Sequence, residues 1–66
     1  MKAPEIIKFL MLMGMSEGTN RQLTENRFFY DKFHRCITIG ARSGGLVNLH
    51  LRSDESFMYM ELTKPK

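Results

Sequence analysis

Arg35-Cys36-Ile37-Thr38-Ile39-Gly40-Ala41 and Leu46-Val47-Asn48-Leu49-His50-Leu51-Arg52, joined by Arg42-Ser43-Gly44-Gly45, decide the fold of this chain. Successive side chains of a strand point to opposite faces, so a period of two marks one buried and one wet face. In the first run Ile37 and Ile39 share one face, with Cys36 and Thr38 on the other. In the second, Val47, Leu49 and Leu51 oppose Leu46, Asn48, His50 and Arg52. The two glycines between them supply the positive φ angles that a hairpin turn needs. Ser53-Asp54-Glu55-Ser56 reads as the next turn, and Phe57 to Thr63 as a third alternating run. Three strands joined by two short turns make an antiparallel meander.

Upstream, Phe28, Phe29, Tyr30 and Phe33 crowd into one segment. Aromatic residues favour strands, so 28–33 reads as a fourth strand, with a helix as the alternative. Ser16 to Asn26 is polar and carries Gly18 and Asn20. Thr19 and Gln22 fit the capping box of a short helix, but with Leu23 as the one apolar anchor an irregular loop fits as well.

The chain opens with Ala3-Pro4-Glu5. Proline is tolerated in a first helical turn, and an acid there meets the positive end of the helix dipole. Ile6, Leu10 and Met13, and Ile7 with Met11, recur at helical spacing. The spacing predicts a helix over 3–13, closed by Gly14 as its C-terminal cap. The expected fold class is therefore α+β: an N-terminal helix packed on a three- to four-stranded antiparallel β-meander. The sheet spans about 28–63, residues 64–66 form a flexible tail, and 1–66 make a single small domain.

The chain has 66 residues. A chain this short buries only about 60% of the surface it exposes when unfolded, so its stability is marginal. Little is left over for a deep, dry active site, which argues against an enzyme. Cys36 is the single cysteine, so no internal disulfide forms, and a reducing, cytoplasmic setting follows. Phe9 to Met15 is apolar but far short of the roughly 20 residues that cross a bilayer, so no membrane role is expected. No cofactor or metal is expected either: His34, Cys36 and His50 are ligand types, but paired spacings such as C-x2-C are missing.

Net charge is +3, and Lys32, Arg35, Arg42 and Arg52 fall in a stretch without Asp or Glu. Such a stretch attracts phosphate or merely solvates a strand face. The alternation sorts Cys36, Thr38, Asn48, His50, Arg52, Phe57, Tyr59 and Glu61 onto an outer face. Ile37, Ile39, Val47, Leu49, Leu51, Met58, Met60 and Leu62 form the inner one. Single-stranded nucleic acid is held by stacking rings with cations nearby. The sequence expectation is thus a small nucleic-acid-binding regulator. Phe57, Tyr59 and His50 would meet bases, and Arg35, Arg42 and Arg52 the backbone. The alternative is a protein-binding module or inhibitor. A helix so apolar on nearly every side suggests a homodimer through Ile6–Met13, unless the rest of the chain wraps it. A ribonuclease centred on His34 or His50 is a lesser alternative, since a histidine beside cations can move a proton and steady phosphate charge.

Glu5-Ile6-Ile7-Lys8-Phe9-Leu10 through Gly14 is similar to the opening helix of HicA-type toxins. It also resembles part of the N-terminal module of bacterial translation initiation factor two. Both resemblances imply RNA contact. They stop at the helix, and neither family is adopted.

Overall fold

The computed structural model describes residues 1–64 of the chain. Helix α1 (Ala3–Leu12) precedes five strands: β1 (Ser16–Glu17), β2 (Arg27–Asp31), β3 (Cys36–Gly40), β4 (Leu46–Leu51) and β5 (Phe57–Thr63). They form one sheet in the order β1-β2-β3-β4-β5. The α+β class and the meander are as expected, and 28–33 is strand as far as Asp31. The strand count and the sheet type are corrected. The sheet has five strands and is mixed, because β1 runs parallel to β2. β1 is two residues long, too short for any alternation to show. Backbone bonds hold it, from the Ser16 N–H to the Asn26 carbonyl (3.0 Å) and from the Gly18 N–H to the Phe28 carbonyl (2.6 Å). Thr19 and Gln22 cap no helix: the segment between β1 and β2 is irregular. Of the expected tail, Lys64 follows β5 without regular structure, and residues 65 and 66 lie outside the described residues.

Local chemistry explains the helix ends. The Glu5 carboxylate reaches back to the Lys2 backbone N–H (3.1 Å), satisfying a donor that the helix start would leave unpaired. At the other end Gly14 has φ +94. Its N–H donates to the Met11 carbonyl (3.0 Å) and the Met15 N–H to the Leu10 carbonyl (3.1 Å). That pair is the Schellman closure that a left-handed glycine permits.

Helix α1 lies on one face of the sheet. Ala3, Ile6 and Leu10 bury themselves against Phe28, Ile37 and Leu51, with Met15, Tyr30, Ile39 and Leu49 around them. The N-terminus is strapped down as well. The Ala3 N–H donates to the Glu55 carbonyl (2.9 Å) and the Phe57 N–H to the Met1 carbonyl (3.1 Å). Ile6 and Leu10, in the helix that the sequence offered as a dimer surface, are thus buried in the chain's own core. The helix leaves Phe9, Met11, Leu12 and Met13 exposed instead.

Tyr30 shows how the core meets the β4–β5 turn. Its hydroxyl donates to the Glu55 carboxylate. That bond, then burial, then the negative charge of Glu55, push the phenol from its usual 10.0 to about 12. The neutral phenol is favoured in the folded state, so its contribution is whole below pH 10. It is lost as pH rises, because the unfolded chain ionises first. Wild-type stability is therefore expected to fall between pH 10 and about 12 more steeply than that of Tyr30→Phe. Urea unfolding across that range checks this, and parallel declines would refute it.

Candidate functional site

The outer face of the sheet is only partly open. Because β1 and β2 are parallel neighbours, the chain between them must travel back along the sheet. It crosses the face opposite α1. Thr24 passes so close to Gly40 that a Cβ there would stand 2.0 Å from the Thr24 carbonyl oxygen. Under this segment Thr38 is fully buried and Cys36 nearly so. The polar groups beneath it are satisfied in a chain. The Thr38 hydroxyl donates to Asn48 Oδ1 (3.0 Å), and Asn48 Nδ2 donates to Thr63 Oγ1 (2.8 Å).

Beyond this cover lies the pair that the alternation picked out. His50 on β4 and Tyr59 on β5 are register partners. Their rings stack with centroids 4.6 Å apart and planes 16° from parallel. Glu61, also on β5, sits with its carboxylate 3.0 Å from His50 Nε2. His34 Nδ1 lies 2.7 Å from the carboxylate of Asp31, which also accepts from Arg21 (3.0 Å). The His34 side-chain bond foremost, then its backbone N–H and the Arg21 charge, hold Asp31 below the usual carboxylate range. An open cavity of about 480 Å³ has Arg21, His34, Asn48, His50 and Glu61 on its walls, together with Cys36, Leu46 and Thr63. Among the described residues no three His, Cys, Asp or Glu groups converge as metal ligands.

Not every candidate residue joins this face. A bulge between His50 and Leu51 sets Leu51 opposite Phe57 while His50 faces Tyr59. Met58 is the extra residue, and the strand changes phase there. Phe57 therefore sits on the helix side, lining a groove with Ile6, Phe9, Leu10 and Leu49, and not beside Tyr59. Arg52 lies in the turn after β4, where its guanidinium donates to the Phe57 carbonyl (2.8 Å). Arg35 ends the β2–β3 turn at φ +51 and is exposed. Arg42 is in the β3–β4 turn, at the far end of the sheet. At about 3.3 Å per residue, a five-residue strand separates it from Arg35 by roughly 15 Å. Only His50 and Tyr59 of the six are neighbours in the way the sequence suggested.

The helix side carries a feature that alternation could not reveal. Helix α1 covers the β2–β4 part of its face and leaves β5 bare along its whole length. Met60 and Leu62 are 56% and 68% exposed. They face solvent opposite Leu49 and Val47 on β4. Between this bare strip and the flank of α1 runs a cavity of about 450 Å³, lined by Met1, Ile6, Phe9, Leu10, Leu49 and Phe57. None of those side chains is charged.

Compared with known protein families, curated proteins and solved structures, the chain shows no significant match.

Proposed function

We propose that this chain is a protein-interaction module, not an enzyme, and that it works through the apolar face between α1 and β5. One observation carries the reading. Among the described residues, eleven large hydrophobic side chains are exposed, and Phe9, Phe57, Met60 and Leu62 lie along one strip. Scattered exposed apolar residues are ordinary, whereas a continuous strip marks a contact surface. The uncharged side chains of the lining suit a protein surface better than a phosphate backbone. The buried, unpaired Cys36 accords with a reducing setting. Photo-crosslinking in cells tests the proposal, with a benzophenone side chain in place of Met60 or of Glu61 on the opposite face. Protein adducts from position 60 and not from position 61 are expected. Equal yields, or none, would end the reading.

A second reading, single-stranded nucleic acid on the outer face, is favoured by the stacked His50–Tyr59 pair, since Tyr59 remains half exposed beside the Arg52 turn. Against it stand the Glu61 carboxylate within the same patch and the spread of the arginines. Anisotropy titration with short RNA and DNA at two salt concentrations separates the readings. Phosphate contacts weaken steeply with salt, and apolar docking does not.

A further inference from the structure

We infer that the occupant of this apolar face is a second copy of the same chain, docked bare strip against bare strip. The inference rests on the reading of that face as a protein-binding surface, and it goes on to name the partner.

The first argument is charge. In a two-fold interface residue i of one copy meets residue j of the other, so a charge in the patch stays unpaired unless the same patch also carries its opposite. A patch of uncharged side chains meets that condition directly. The side chains of this one are uncharged: Met1, Phe9, Leu49 and Phe57 line the groove, and Met60 and Leu62 extend the strip. The one acid in the middle of β5, Glu61, points to the other face and is held by His50.

The second argument is area. Large apolar side chains carry about 150–200 Å² each, and those on the strip are about half exposed. With the partly covered Val47 and Leu49, the strip offers on the order of 600 Å². That is the lower end of the roughly 600–1,000 Å² that each partner contributes to a stable complex.

The third argument is the core itself. Among the described residues only seven hydrophobic side chains are buried, against eleven large ones exposed. A chain of this size is marginal on its own, and association is a usual remedy. Two sheets stacked at about 10 Å would turn the bare β4–β5 strips into a shared core. The exposed flank of each α1 would then border the edge of the partner's β5.

The test is sedimentation equilibrium on the purified full chain over a wide concentration range. A species of twice the 7.7 kDa chain mass is expected. Met60→Lys should weaken self-association by at least about 100-fold, because it removes about 100 Å² of apolar contact and buries a charge. Glu61→Gln, on the opposite face, should leave it unchanged. If Met60→Lys fails to fold, crosslinking decides. Purified chain carrying benzophenone at position 60 should give a dimer-mass adduct mapped to α1, β4 or β5, and chain carrying it at position 61 should give none. A monomer at every concentration without that adduct overturns the inference. If position 60 then crosslinks a different protein in cells, the docking surface stands and the second copy does not.

Discussion

Phe28→Ala is expected to leave the chain largely unfolded at room temperature. Phe28 is completely buried. It lies on β2 opposite Ile39, under α1, at the centre of the single core. Truncating a buried phenylalanine costs about 3–5 kcal/mol, from lost burial and from the cavity left behind. Domain stability runs at about 0.05–0.15 kcal/mol per residue, which for a chain this short is of the same order. Among the described residues one cluster forms the core, and none stands beside it to absorb the loss. Far-UV circular dichroism during a thermal melt reads the result. Phe33→Ala is the companion variant, because Phe33 is 97% exposed in the β2–β3 turn. Its effect should stay within about 0.5 kcal/mol. Similar melting for both variants would mean that the core is not built around β2.

Gly40→Ala is expected to lift the β1–β2 crossover from the outer face. A Cβ at position 40 would stand 2.0 Å from the Thr24 carbonyl oxygen, 2.7 Å from the Thr24 carbonyl carbon and 3.2 Å from that of Leu23. All three atoms are backbone, so no rotamer change relieves the clash. The segment must move as a whole, at a cost of about 1–3 kcal/mol. Arg21 would be drawn from Asp31, and the cover over Thr38 and Cys36 would open. Cys36 is the natural reporter, since its thiol is 2% exposed in the intact fold. Reaction with a thiol-specific reagent should speed up at least about tenfold, while the circular dichroism keeps its strand signal. Unchanged Cys36 reactivity in a folded Gly40→Ala protein would show that the crossover does not lie over the sheet.

These two positions mark the limits of reading the chain without its fold. Phe28 could be assigned to a strand from the aromatic run around it, but its place at the core's centre was not legible. The hydrophobic sets of β3 and β4 were legible, because each strand has at least five residues over which a period of two can show. Gly40 carried no readable signal: a glycine at the end of a strand looks like turn punctuation, and its partner in close approach is sixteen positions away. Phe57 was assigned to the wrong face for a related reason. Alternation assumes an unbroken phase, and a bulge shifts the phase without any residue type that announces it. The His50–Tyr59 stack was within reach because Tyr59 and Glu61 lie on the stretch of β5 beyond the bulge, where the alternation keeps its phase against β4. The Glu61 carboxylate reaches His50 diagonally, from its own place opposite Asn48, so neither run of residues alone announces that contact.

The sequence by itself determined the local elements: the helix with its proline start and glycine cap, the two hairpins, and which side chains alternate. Those depend on interactions within a few residues, and residue type encodes them directly. Only the tertiary structure decided which surface is available. The crossover hides part of the outer face, the bulge turns Phe57 to the helix side, and the helix is too narrow for its own sheet and leaves β5 uncovered. Each depends on where distant segments come to rest, and no periodicity records that.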